Sequence, residues 1–160
     1  TYAASGGYYV STGADWIIAN KGTLTGSIGI FGGKLAIADG LRQIGINTSE
    51  ISVGGPFAGA MTTIDTFSDT EREMLHAWLK RGYDRFLGIV AEGRGMTYDE
   101  VHEIARGRIW SGEDALKVGL VDELERVDGH LVLHEDPHRA HALVAEAIPA
   151  HGSHARLLVI

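Results

Sequence analysis

No cysteine occurs in the 160 residues. That absence excludes disulfides, thiolate metal sites and a cysteine nucleophile, and it leaves the redox compartment open. No apolar run approaches the ~18 residues that a membrane-spanning helix needs, and no signal-peptide pattern stands at the start. No cluster of Lys and Arg offers a footprint for phosphates or lipid headgroups. The net charge of −7 speaks against nucleic acid as a partner. An initiator Met is also missing, and the chain opens inside a Gly-rich motif, so the expectation is a piece of a longer protein.

What is present fits a globular chain: 44% hydrophobic and 22% charged residues, at a length that suits one domain with a real core. Glycine numbers 22, and 13 of these precede residue 60, which predicts tight turns and close backbone approaches in the first third. Near Glu125 the character changes. Six of the eight histidines lie between 130 and 154, among Ala, Pro and Gly. We therefore divide the chain into a body at 1–124 and a His-rich tail at 125–160.

Within the body, Trp16-Ile-Ile-Ala-Asn20 reads as a buried strand and Thr23–Phe31 as a second, with a backbone constraint near Gly26. Apolar residues at 37, 38, 41 and 44 predict a helix over Lys34–Ile44, closed by Gly45. Ile46–Val53 reads as one or two short strands, and 54–67 as an exposed loop. Ser68-Asp-Thr-Glu71 and Thr97-Tyr-Asp-Glu100 are capping boxes, and Ser111-Gly-Glu-Asp114 is a third helix start. The first opens a long helix whose apolar residues fall at 75, 78, 79, 83, 86, 87 and 90 and which Gly93 is expected to stop. Leu120-Val121 reads as a short strand or strand entry. In the tail the pattern gives a strand at 131–133, a helix near 140–148 and an apolar end at 157–160.

For chemistry, Ser5 draws attention. Two alanines precede it and two glycines follow. Small neighbours admit a substrate backbone, and glycines leave N–H groups open to a developing negative charge. Taken alone, the same residues describe an ordinary tight turn. His134, His138 and His141 have helix-like spacing that would suit a metal, but Pro137 interrupts it, so no metal or cofactor is assigned. His76 and His102 sit on predicted helices and read as surface or half-buried residues. A base for Ser5 would then be a lysine with a pKa lowered by burial. Lys21, Lys34, Lys80 and Lys117 are the candidates, and each reads as a solvated surface residue.

Several short motifs stand in order along 1–124: Ala-Ala-Ser-Gly-Gly-Tyr-Tyr (3–9), Ala-Asp (14–15), Ile-Ala-Asn (18–20), Thr-Leu-Thr-Gly-Ser-Ile-Gly-Ile-Phe-Gly (23–32), Gly-Arg-Gly-Met-Thr (93–97), Gly-Arg-Ile-Trp-Ser-Gly-Glu-Asp-Ala (107–115) and Gly-Leu-Val-Asp (119–122). Together they resemble the signal peptide peptidase A (protease IV) family of serine–lysine peptidases, most closely the C-terminal half of its long, two-repeat form. The resemblance implies an α/β fold of the ClpP/crotonase-like type, with repeated β-β-α units. It implies Ser5 as the nucleophile at the head of a helix, Gly6 N–H as an oxyanion donor, and Ser27 as the hydroxyl that orients the catalytic lysine. Residue preferences alone would not place a helix at Ser-Gly-Gly-Tyr-Tyr.

Two departures from the family pattern follow. Where short members carry the lysine, this chain reads Val-Gly-Gly-Pro-Phe-Ala-Gly (53–59), and the upstream Gly-rich loop that gives a second oxyanion donor is not in the chain. The resemblance thus implies a lysine supplied by an N-terminal repeat or a neighbouring subunit of a homo-oligomer. It further implies signal peptides as substrates, attachment to the membrane through a preceding segment, and a periplasmic location. The competing expectations are a catalytically silent assembly domain and a related ClpP-fold capsid-maturation protease.

Overall fold

The computed structural model describes residues 1–125 and 157–160, as a mixed α/β chain. The tail's expected strand at 131–133, its helix near 140–148 and its histidines lie outside the described residues. Two compact units are distinguished: Thr1–Gly29 with Asp84–Ile160, and Ile30–Tyr83.

The first unit holds the sheets. Strand β1 (Tyr2–Ala4) pairs in parallel with β3 (Leu24–Gly26), and β3 pairs antiparallel with β4 (Ile109–Ser111). The buried Thr25 hydroxyl donates to Ala3 O at 2.7 Å and ties β3 to β1 a second time. The second sheet centres on β2 (Trp16–Ala19), flanked in parallel by β5 (Glu123–Leu124) and β6 (Leu157–Val159). Buried on both faces, β2 reads as a continuous apolar run, as central parallel strands do. Between the strands run α1 (Gly6–Ser11), α4 (Tyr98–Ile104) and α5 (Gly112–Lys117). Tyr8, Ile28, Phe86, Leu87, Val90, Val101 and Leu120 complete the core.

The second unit contains α2 (Ala38–Gln43) and the first part of α3 (Asp69–Arg94), whose later turns belong to the first unit. Gly32 packs on Leu75 and Leu79, and Lys34 Nζ stands 4.5 Å from the centroid of the Phe67 ring.

The capping signals hold. Glu71 accepts from Ser68 N–H at 2.8 Å, Thr97 and Glu100 form the reciprocal box, and Ser111 Oγ accepts from Asp114 N–H at 3.1 Å. Other expectations shift. Strand β3 ends at Gly26, because Gly26 (φ +74°) and Ser27 (φ +49°) leave the extended region. The helix expected over Lys34–Ile44 shortens to α2, and Ile46–Val53 pairs with nothing in a sheet. Helix α3 runs through Gly93, and Gly95 (φ +62°) turns the chain out instead. The strand expected at Leu120-Val121 begins at Glu123. Trp78, on the apolar stripe of α3, and Tyr98, at the start of α4, are exposed.

Candidate active site

The parallel register sets Ala4 opposite Gly26. The residues that follow, Ser5 and Ser27, therefore leave the same end of two adjacent strands, which in any sheet run about 4.8 Å apart. Both have left-handed backbones, Ser5 with φ 51° and ψ −116° and Ser27 with φ 49°, and among the described non-glycine residues only Arg106 shares that sign. Such conformations cost on the order of 1–3 kcal/mol each and persist only where the surroundings over-determine them.

The surroundings do so here. Ser5 N–H donates to Gly26 O at 2.8 Å, and Ser5 O accepts from Tyr9 N–H at 2.8 Å as the first turn of α1 closes. Ser27 N–H donates to Arg108 O at 2.7 Å, and Gly107 N–H donates to Ile28 O at 2.9 Å. A Cβ on Gly26 would stand 2.7 Å from Trp110 Cδ1 and 3.2 Å from Arg108 O, so both φ and crowding demand glycine there. Gly6 is different. A Cβ added to it would meet nothing within 4 Å. Packing does not require glycine at the head of α1, and the space over it is open.

Ser5 is exposed and Ser27 half-buried. Ser5 stands at the N-cap of α1 without a side-chain capping bond, so its hydroxyl is not used to close the helix. The free N–H groups of a helix start favour negative charge. The structure thus brings Ser5, Gly6 and Ser27 to one end of the β1–β3 pair.

It brings no lysine of the first unit into an apolar setting. Lys21 is exposed in the turn between β2 and β3. Lys117 is exposed on α5 and held by Asp114 at 2.8 Å, a hydrogen bond that raises its pKa and opposes a role as base. Lys34 and Lys80 belong to the second unit. His76 is exposed, and the half-buried His102 ring stacks on Tyr98 at 6.4 Å between centroids.

A cleft of about 650 Å³ opens at the other end of α1, lined by Tyr9, Val10, Asp15, Ile89 and Glu92 among others. Its lining includes neither Ser5 nor Ser27.

Three residues that motif reading passed over as individuals form a buried cluster beneath α1. Arg94 donates from Nη1 and Nη2 to the two carboxylate oxygens of Asp122, at 2.8 and 2.6 Å, and from Nε to Gly119 O at 2.9 Å. Asp122 also accepts from Ile17 N–H at 2.8 Å. Burial by itself would lower the pKa of Arg94, but the hydrogen bonds and charge of Asp122 leave it raised, so the guanidinium keeps its charge. Tyr8 O–H donates to Leu120 O at 2.6 Å, and burial pushes its pKa up, keeping the phenol a neutral donor. Each of the three lies in a motif quoted above (3–9, 93–97 and 119–122), but their pairing was not legible, because residues 28 and 112 positions apart leave no local pattern.

A strand that turns sharply into a helix, with a small hydroxyl residue at the bend and a glycine after it, is an arrangement that hydrolases use. Residues 1–135 match the model of peptidase family S49. Protease 4 of Salmonella typhi is 41% identical over 126 residues, which cover 79% of this chain and 20% of that protein. A putative signal peptide peptidase SppA of Enterococcus faecium is 38% identical over 122 residues, 76% of this chain and 35% of that one. The chloroplastic serine protease SPPA of Arabidopsis thaliana is 36% identical over 121 residues, 75% and 18% respectively. The chain belongs to peptidase family S49. It spans about a fifth to a third of the length of these relatives.

Proposed function

We propose that this chain is the Ser-bearing part of a serine endopeptidase that degrades cleaved signal peptides, built on a ClpP/crotonase-like fold. The observation that carries the proposal is the strained Ser5 at the β1–α1 junction, with Ser27 leaving the adjacent strand beside it.

In this reading Ser5 Oγ attacks the scissile carbonyl carbon, and a lysine amine takes its proton. The oxygen of the tetrahedral intermediate accepts from Gly6 N–H at the head of α1. The open space over Gly6 supports an approaching substrate backbone. The C–N bond then breaks, the leaving amine takes the proton from the lysine, and the acyl group stays on Ser5 until water releases it. Ser27 orients the lysine. That lysine comes from an N-terminal repeat or a neighbouring subunit of a homo-oligomer, since Lys117 is held by Asp114 and Lys21 is exposed in a turn. Apolar residues left exposed on the second unit support such association. Membrane attachment on the periplasmic side belongs to the parent protein; among the described residues no helix is long and apolar enough to cross a membrane. The same lysine placements favour a second reading, a catalytically silent assembly domain.

The test is hydrolysis of a hydrophobic peptide ester by the full-length parent. Ser5→Ala should abolish turnover and covalent labelling by a fluorophosphonate while leaving the melting temperature nearly unchanged. Ser27→Ala should slow turnover about fivefold and alter the pH–rate profile, the loss of a hydrogen bond worth on the order of 1 kcal/mol. Ser5→Ala turnover equal to the unaltered protein would remove Ser5 from the mechanism, and a parent that neither labels nor hydrolyses would favour the silent domain.

A further inference from the structure

We infer that Tyr8 is a positioning residue for Ser5: the bond from its hydroxyl to Leu120 O clamps α1 onto the Gly119–Asp122 segment and so fixes the aim of Ser5 Oγ and Gly6 N–H. The inference rests on the reading of Ser5 as nucleophile given above.

Helix α1 has six residues, too few to be stable by its own hydrogen bonds. Its N-cap side chain makes no capping bond. The side chains of Ser11 and Thr12 bond only to Gly7 O and Tyr9 O, within the same helix, and hold it to nothing else. Two hydrogen bonds tie 5–11 to other parts of the first unit among the described residues: Ser5 N–H to Gly26 O, and Tyr8 O–H to Leu120 O. The first fixes where the helix starts. Packing such as the edge-on contact of Tyr9 with Phe86, 5.1 Å between ring centroids, seats the helix without directing it, so one hydrogen-bonded point still leaves it able to tilt and to roll about its axis. The second, three residues on and one turn away, removes that freedom.

The far side of the clamp is stiff. Leu120 N–H donates to Ala115 O at 2.8 Å, Gly119 O accepts from Arg94 Nε, and Asp122 is gripped by Arg94 from two nitrogens and by Ile17 N–H. Tyr8 and Leu120 are fully buried, so the bond between them is shielded from water. The Gly-Leu-Val-Asp motif thereby acquires a role. It carries two consecutive carbonyls, one taken by Arg94 and the next by Tyr8, and it ends in the carboxylate that anchors Arg94. Displacement of a reacting group by about 1 Å can cost on the order of a hundredfold in rate. A loosened α1 moves nucleophile and oxyanion donor together.

Tyr8→Phe keeps the ring and removes one oxygen. In the full-length parent it should lower kcat on a hydrophobic peptide ester about tenfold, with KM within twofold, and slow fluorophosphonate labelling of Ser5 by a similar factor. Val101→Ala, a core truncation in the same unit and remote from the clamp in sequence, serves as the control for stability alone. It should lower the melting temperature at least as much as Tyr8→Phe and leave kcat within twofold. Equal kcat for Tyr8→Phe and the unaltered protein, while Ser5→Ala is inactive, would overturn the clamp and leave Ser5 in place. Turnover by Ser5→Ala would instead overturn the reading beneath it. If Val101→Ala loses kcat as Tyr8→Phe does, the tyrosine acts through stability only and the inference fails.

Discussion

The two units treat apolar side chains in opposite ways. In the first, strands pair in register, and Tyr8, Ile17, Leu87, Val90, Val101 and Leu120 are shut away from water. In the second, Ala38, Ala60 and Leu75 are the buried apolar residues, while Phe31, Ile51 and Val53 are 98%, 91% and 92% exposed. The second unit has no strand among its described residues. The contrast separates two tasks. The first unit supplies the stiffness that a strained Ser5 and Ser27 need, because a left-handed serine relaxes unless packed structure holds it. The second presents a surface whose burial at about 25 cal/mol per Å² would reward any partner that covers it.

The largest expected effect probes the stiff unit. Arg94→Ala would leave the Asp122 carboxylate buried without its partner, with the side chains of Arg94 and Asp122 only 8% and 19% exposed in the intact pair. Removing one member of a buried pair typically costs about 3–5 kcal/mol. Urea unfolding should show a loss in that range, with the midpoint shifted and the slope unchanged. A loss below about 1 kcal/mol would mean the pair behaves as a surface bridge, and the clamp under α1 would lose its footing.

Next comes a direct pairing of the units. Leu87→Ala, in the first, should cost about 3 kcal/mol through lost burial and a cavity. Ile51→Ser, in the second, should stay within about 0.5 kcal/mol, as exposed substitutions do. Both are read from the same denaturation curves. An Ile51→Ser cost approaching that of Leu87→Ala, and rising with protein concentration, would show that the second unit's apolar surface is covered in solution by another copy.

What the sequence disclosed divides along similar lines. Ser68, Thr97 and Ser111 announced their helices because a capping bond is local: donor and acceptor lie three residues apart and both appear in the string. Strand β2 announced itself by Ile17-Ile18, whose burial on both faces needs no alternation. Residue preferences hid helix α1, which only the family resemblance implied, since Gly6-Gly7 is a poor helix start and its anchor, Leu120, is 112 residues from Tyr8. Ile46–Val53 misled for the reverse reason. Its residues favour a strand, but a strand needs a partner, and the second unit offers none among its described residues. For the site, Ser5 was legible as a small residue among small residues. Its backbone angles were not, because nothing in a serine foretells a positive φ.

The smallest expected effect compares the two capping boxes, one in each unit. Glu71 accepts from the backbone N–H and hydroxyl of Ser68, and Glu100 does the same from Thr97, each at 2.8 Å. These bonds, the backbone one foremost, hold both carboxyls below their ordinary value of 4.5. A lowered folded-state pKa means that the caps contribute stability above about pH 4.5 and lose it as pH falls through the lower, folded value. The turns they close are not equally secured. Helix α4 keeps the fully buried Val101 in its first turn, whereas residues 69–72 of α3 have no buried side chain, and Leu75 comes a turn later. Hydrogen exchange on acidification should therefore open the amides of 70–72 before those of 99–101, after correction for intrinsic rates. Glu71→Gln, which takes away the titrating carboxyl, should remove the pH dependence of the 70–72 amides and leave the first unit's turn unaffected. Simultaneous opening of both turns would mean that the units share one local stability, and the contrast between a packed body and an open one would not extend to their helix ends.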